Sequence, residues 1–285
     1  MIRRAVNGVL DGQGWADGLG AFLQKVYLAV LRPVPFVKDL LHGTWLGHAL
    51  HPVITDVPVG ALTVALFLDL IGQVDGAKWA TLIGVLGMVG SALTGIADYT
   101  GTDGKTRRYG TIHSLFMVLS LVFYQFSVLV RFDVIAGTHQ VALLLAIPGY
   151  LLLAAGAYIG GEIVFGLGYM VDRHAWRSGG TKWTAVEPVE FPESTPAKAK
   201  AGAQALVVVR RGDALFALHD VCAHAGCSLA EKGMLVGDTL ECQCHGSRFD
   251  LATGRVARGP ATYDQPAFEV RRGEAGALEA RRKRG

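Results

Sequence analysis

Four long apolar stretches set the architecture before any single residue does. They run over roughly 52–72, 79–98, 112–131 and 139–161. Each approaches the about 20 residues that an α-helix needs to cross a bilayer. The 285-residue chain is 51% hydrophobic and only 18% charged, where soluble domains average about a quarter charged. Short connections at 73–78 and 132–138 and a longer one at 99–111 predict two pairs of neighbouring helices, an antiparallel four-helix bundle. Small residues recur within it: Gly84, Gly87, Gly90 and Ser91, then Gly156, Gly160 and Gly161. In lipid they let helix backbones approach closely, and they permit a homodimer without requiring one. Beyond residue 180 the chain becomes Arg-rich, β-branched and Pro-containing. The expectation is a membrane half followed by a soluble half.

The flanks orient the bundle. Residues 16–31 carry Leu19, Phe22, Leu23, Val26, Tyr27, Val30 and Leu31 on one helical face, with Asp17, Gln24 and Lys25 opposite. That pattern suits a helix lying on the membrane surface; a plain core helix is the alternative. Met1-Ile2-Arg3-Arg4 is followed by Asn7, Gly8 and Asp11 rather than an apolar run, so no cleaved signal is expected. One membrane face collects Arg32, Lys38, Lys105, Arg107, Arg108, Arg173, Arg177 and Lys182, against Lys78 and Arg131 on the other. Eight against two places the first face, both termini and the soluble half in the cytoplasm. The basic tail Arg281, Arg282, Lys283 and Arg284 reads as a solvated end, with lipid head groups as the other reading. No basic patch interleaved with aromatics points to nucleic acid.

All four cysteines fall between 222 and 244, which argues for one local site rather than a disulfide scaffold. The stretch reads Cys222-Ala223-His224-Ala225-Gly226-Cys227, then Cys242-Gln243-Cys244-His245-Gly246-Ser247-Arg248-Phe249-Asp250. Two pairs, C-x-H and C-x-x-H, are separated by 17 residues. Two thiolates on one iron and two neutral imidazoles on the other would suit a [2Fe–2S] cluster of raised potential. A Cys₂His₂ zinc site needs the same ligand types. The surroundings favour iron and sulfide. Cys227 and Cys244 read as matching positions in two loops that a disulfide could clip together, and Ser247 could donate a hydrogen bond to a cluster sulfur. Gly226 and Gly246 allow tight loops, and Gly259-Pro260-Ala261 could close a third loop over the centre.

From about 183 to 281 the chain resembles the Rieske iron–sulfur domain family, a small antiparallel β fold. The pattern C-x-H-x-G-C … C-x-C-H-G-S-x-[YF]-D is similar to the subgroup of quinol-oxidising complexes. That resemblance implies Cys222 and Cys242 on one iron, His224 and His245 on the other, a Cys227–Cys244 disulfide, and Ser247 raising the potential. Phe249 stands where that subgroup has tyrosine, which predicts a lower potential, and Ala225 stands where it has a bulky leucine, which argues against direct quinol docking. A disulfide sits awkwardly in the cytoplasm, although a buried one resists reduction. Residues 40–172 are similar to an uncharacterised bacterial four-helix membrane family through Gly47–Pro52, Asp56–Gly60 and Ala97–Thr100. The expected division is an amphipathic segment at 1–45, four transmembrane helices within 46–172, a linker at 173–182, and a Rieske β-sandwich with a cluster-binding subdomain at 183–285.

Strand signals fall at Ala205–Val209 and Ala214–Leu218 around Arg210–Asp213, then at Leu235–Leu240 and Phe268–Arg271; 187–203 is weak. The membrane half adds His48, His51, Asp56, Asp98 and His113 at one face, with His139 at the other. Ionisable groups at that depth are costly, so each is a functional candidate. His51 and His113, with His48 near, suit a b-type haem held from different helices; another metal or a quinone pocket, or helix capping, are the alternatives. The expected function is a multi-pass protein of the bacterial inner membrane that moves single electrons at its cytoplasmic face through an exposed His224/His245 edge. The alternative is a subunit of a quinone- or haem-linked oxidoreductase. No flavin or nicotinamide fingerprint is present, so electron donor and acceptor are expected to be separate proteins or quinone.

Overall fold

The computed structural model describes residues 2–177, 180–187, 189–273 and 277–283. Ser178, Gly179, Pro188 and Arg284 lie outside the described residues, so the expected linker and basic tail are described only in part. The chain divides into two compact units, 1–41 with 49–169, and 42–48 with 170–285. The segment 42–48 therefore groups with the C-terminal unit rather than with the N-terminal helices that precede it.

The first unit is helical. Helices α1 (Ile2–Asp11), α2 (Trp15–Leu31) and α3 (Pro35–His42) precede four long ones: α4 (Leu50–Leu70), α5 (Val74–Tyr99), α6 (Gly104–Arg131) and α7 (His139–Gly161). The last runs on through a wider turn at Glu162–Gly166. Each of the four is long and apolar enough to cross a membrane. Helices α4 and α5 pack as one hairpin, and α6 and α7 as another. Small residues set the contacts: a Cβ on Gly84 would meet Leu62 at 2.4 Å, and one on Gly149 would meet Tyr124 at 3.0 Å. The shared core is Leu62, Val85, Met88, Tyr124, Ala146 and Leu153. The expected long connection at 99–111 shrinks to a short turn, because the polar stretch from Lys105 to Ile112 is already helical in α6.

Helix α2 reverses the usual amphipathic arrangement. Two of its polar residues engage protein: Gln24 donates to the carbonyls of Tyr99, Thr100 and Thr102, and Asp17 accepts from Arg108, while Lys25 is exposed. Gly20 lies flat on Thr111 and Tyr99, with no room for a Cβ. Leu19, Phe22, Val26 and Val30 stay exposed. A core helix would bury that face, so the arrangement is the one a lipid boundary requires.

In the second unit the strands among the described residues pair antiparallel in two sheets, with one short helix. Strands β1 (Thr184–Ala185), β2 (Ala197–Ala201), β3 (Gln204–Arg211), β4 (Ala214–His219), β9 (Ala267–Arg272) and β10 (Leu278–Arg282) form one sheet in the order β1-β10-β9-β4-β3-β2. Strands β5 (Gly233–Val236), β6 (Thr239–Cys242), β7 (Arg248–Asp250) and β8 (Val256–Arg258) form the other, after the short helix α8 (Leu229–Lys232). Because β4 pairs with β9, everything from 220 to 266 is an insertion between two neighbouring strands, and it is this insertion that holds the site. The expected strand Leu235–Leu240 is broken by a turn at Gly237, whose φ of 58° suits glycine, and its halves pair as β5 and β6. In the weak region, Ala197-Lys198-Ala199-Lys200-Ala201 does form a strand: alternation buries Ala199 and Ala201 and leaves both lysines out.

Candidate metal centre

Two loops of near-identical geometry carry the candidate ligands. In the first, Cys222 N–H donates to Cys227 O at 2.8 Å and Gly226 N–H donates to Cys222 O at 2.9 Å. In the second, Cys242 N–H donates to Ser247 O at 2.8 Å and Gly246 N–H donates to Cys242 O at 2.8 Å. The glycines share a left-handed conformation, with φ of 87° and 86°, which disfavours any side chain there. The loops thus align as 222–227 on 242–247. This corrects one expectation: Cys227 corresponds to Ser247, and Cys244 corresponds to His224. Cys227 and Cys244 do form a disulfide, with Cα atoms 6.8 Å apart, but across non-equivalent positions.

Cys222 and Cys242 are free thiols, both buried. Interaction with Cys242 and burial push the Cys222 thiol well above its ordinary value, while interaction with Cys222 draws the Cys242 thiol down. Two thiolates so close and so dry need positive charge between them. The sulfurs of Cys227, Cys242 and Cys244 also lie within 4.8 Å of one another, but the disulfide removes two of these three as ligands. The His224 and His245 rings stand with centroids 4.9 Å apart. Two imidazoles on one tetrahedral metal ion, with metal–nitrogen bonds of about 2.0–2.1 Å, put their centroids about 5 Å apart. Two thiols and two imidazoles gathered on paired loops therefore fit a [2Fe–2S] group.

The supports around the centre are specific. Ser247 is fully buried, and its Oγ accepts from Ala261 N–H at 3.0 Å. With that lone pair engaged, the hydroxyl proton remains to be donated elsewhere. Ala261 follows Pro260 in the expected third loop, whose Gly259–Pro260 bond is cis. Phe249 is fully buried in the core with Leu240, Leu229 and Cys222. Gln265 is a residue that motif spacing did not reveal. Its Oε1 accepts from Ala223 N–H at 2.8 Å, and its Nε2 donates to the carbonyls of His219 and Val221. It ties the first ligand loop to the end of β4. A lone glutamine before a proline carries no signal in a sequence.

The imidazoles differ in exposure. His224 is 3% exposed, beside Met170, Val171 and the 260–263 loop, and its carbonyl accepts from Arg173 Nε. The expectation of a jointly exposed edge is thus corrected: His245, half-buried, is the open one.

Among the membrane histidines, the structure brings His51 and His113 together, with ring centroids 6.3 Å apart. His48 is exposed and falls in the other unit. His139 lies 3.8 Å from Asp69 at the opposite end of α4. Asp98 is buried, whereas Asp56 is exposed.

Comparisons with known proteins match both halves. The Rieske [2Fe-2S] domain matches residues 182–269, and a predicted membrane protein family, DUF2231, matches 47–173. Ferredoxin CarAc of Metapseudomonas resinovorans is 44% identical over 71 residues, which span 25% of this chain and 65% of that protein. The anthranilate 1,2-dioxygenase ferredoxin subunit of Burkholderia cepacia is 37% identical over 82 residues, 29% of this chain and 75% of that one. Among solved structures, the ferredoxin of carbazole 1,9a-dioxygenase from Nocardioides aromaticivorans IC177 is 24% identical and covers 36% of this chain and 99% of its own, with a TM-score of 0.32.

Proposed function

Taking as premise that this chain belongs to the Rieske [2Fe-2S] domain family, joined to a DUF2231 membrane domain, we propose that it is a membrane-bound carrier of single electrons working at the cytoplasmic face. The observation that carries this reading is the convergence of two buried thiols and two imidazoles on paired loops. Cys222 and Cys242 would hold one iron as thiolates, and His224 and His245 the other through neutral imidazoles. When bound, the [2Fe–2S] group supplies one-electron chemistry at a potential raised by the neutral ligands. The protein's own residues set the conditions. The Cys227–Cys244 bond ties the two loops together, Gln265 fixes the first of them, and Ser247 is placed to donate to a sulfur. His245 offers the more open route for a partner.

The cytoplasmic address is supported by the basic asymmetry of the sequence, eight Lys and Arg against two. The named relatives are ferredoxins, one of them the ferredoxin subunit of an anthranilate 1,2-dioxygenase; here the partners are proposed to be electron-transfer proteins or quinone. Purification in detergent tests the reading: iron and acid-labile sulfide in equal amounts, two of each per chain, and a reduced-state EPR signal lost in Cys222→Ser. Zinc in place of iron and sulfide would overturn it.

A further inference from the structure

The membrane half holds a histidine pair for which the iron–sulfur centre has no use. His51 on α4 and His113 on α6 stand with ring centroids 6.3 Å apart and planes crossed at 88°. Each is held in the same way by its own hairpin. His51 Nδ1 lies 2.9 Å from the Ser91 carbonyl oxygen on α5, and the ring rests on Gly95, where a Cβ would meet Cε1 at 2.9 Å. His113 Nδ1 lies 2.8 Å from the Gly156 carbonyl oxygen on α7, and its ring rests on Gly160, where a Cβ would meet Cε1 at 3.2 Å. In both hairpins the orienting carbonyl and the glycine are four residues apart, one helical turn. The two halves of the bundle therefore present one imidazole each by one device.

That device sets the tautomer. A carbonyl oxygen only accepts, so each Nδ1 carries the proton and each Nε2 keeps its lone pair. Neither Nε2 has a hydrogen-bond partner among the described residues. An N–H fixed on a backbone carbonyl is how a metal-binding histidine is oriented and made a better donor.

The separation discriminates among occupants. The other paired imidazoles of this chain lie closer, with centroids 4.9 and 4.7 Å apart. Two imidazoles on opposite sides of one metal ion, with metal–nitrogen bonds of about 2.0 Å and ring radii of about 1.1 Å from bonds of about 1.33 Å, would have centroids about 6.2 Å apart. The same rings on a tetrahedral ion would be about 5 Å apart. The observed spacing is that of trans ligands. Trans ligation leaves the equator to other donors, and among the described residues no third His, Cys, Asp or Glu forms with this pair a group of ligand atoms within 4.8 Å of one another. A macrocycle brings its own four nitrogens, and its apolar faces suit a bundle in lipid, where a bare divalent cation would be costly.

We propose that His51 and His113 are the two axial ligands of one b-type haem lying between the α4–α5 and α6–α7 hairpins. The test uses the full chain, expressed with haem supply and purified in detergent with its iron–sulfur signal intact. One haem per chain with a low-spin reduced-minus-oxidised spectrum is expected. The crossed ring planes leave the iron d orbitals nearly degenerate, so the oxidised haem should give the highly anisotropic low-spin EPR signal of perpendicular imidazoles. His51→Ala and His113→Ala should each abolish the low-spin spectrum and keep the iron–sulfur signal; His139→Ala should change neither. Should either ligand variant lose the iron–sulfur signal as well, the wild-type EPR signal decides alone: the anisotropic form upholds the assignment, and a high-spin haem or none overturns it. Zinc bound without haem, or a low-spin spectrum unchanged in both ligand variants, would also overturn it.

Discussion

Ser247, Phe249 and Gln265 are all buried within the centre's support, yet each acts through a different force. Ser247 is held as an acceptor by Ala261 N–H, so its own proton is available to a cluster sulfur. Removing it should disfavour the reduced state, whose extra negative charge strengthens such a bond. A differential of about 1.4 kcal/mol corresponds to about 59 mV for one electron, so Ser247→Ala is expected to lower the midpoint by roughly that amount in a redox titration. Phe249 offers no hydroxyl, and Phe249→Tyr should move the midpoint upward; an unchanged or lower midpoint with the fold intact would remove this account of Phe249. Gln265 works on structure rather than on potential. Gln265→Leu strands Ala223 N–H and two carbonyls in a buried place, at about 1–3 kcal/mol for each unsatisfied group. The expected result is a lower unfolding midpoint and faster cluster loss, with the midpoint potential of the surviving fraction little changed.

Elements respond to charge according to what surrounds them. At the far end of the bundle, Arg131 on α6 and Asp69 on α4 are both buried, with Arg131 Nε also donating to Ser127 Oγ at 3.1 Å. Breaking such a pair from one side costs about 3–5 kcal/mol, because a buried charge is left alone. Arg131→Met should therefore lower thermal stability in detergent sharply, and the double variant Asp69→Asn, Arg131→Met should recover most of the loss. In the β unit, His174 and His219 meet edge to face with ring centroids 4.7 Å apart and are buried. Burial lowers their pKa values to about 4 and about 3. Their folded values lie below the unfolded one near 6.5, so the unfolded chain takes up protons first. Their contribution to stability is full above about pH 6.5 and falls as the pH drops towards 4. Chemical denaturation at stepped pH should show that decline, and His174→Leu should flatten it. The elements also show where pattern reading works. Apolar length located all four spans because a bilayer requires it, and the short apolar runs flanking the turn at Arg210–Asp213 located β3 and β4. The short polar approach to α6 and the split of Leu235–Leu240 were hidden, the first because a helix end outside lipid needs no apolar run, the second because one glycine reverses the chain.

At the scale of the whole molecule, legibility follows the kind of force at work. Cysteine and histidine spacing identified the candidate ligand loops, since local chain geometry brings each C-x-H and C-x-x-H pair together. The equivalence of Cys227 with Ser247, the burial of His224 and the role of Gln265 depend on tertiary contacts and left no trace in spacing. The membrane histidines lie between these cases: His51 and His113 stood out as costly polar residues, but their separation and crossed planes are properties of two packed hairpins. Topology is the remaining whole-molecule quantity, and it rests on charge. Lys105 and Arg108 pair with Asp11 and Asp17 on the basic face, and Arg131 pairs with Asp69 on the other. Orientation responds to Lys and Arg near the helix ends far more than to acidic residues, so the paired lysine and arginine still count. Protease added to inside-out membrane vesicles is then expected to cleave the β unit, and protease added to right-side-out vesicles to spare it until detergent is added. Cleavage only from the outer side would reverse the assigned topology, put the Cys227–Cys244 bond in an oxidising compartment, and move the search for electron partners to that side.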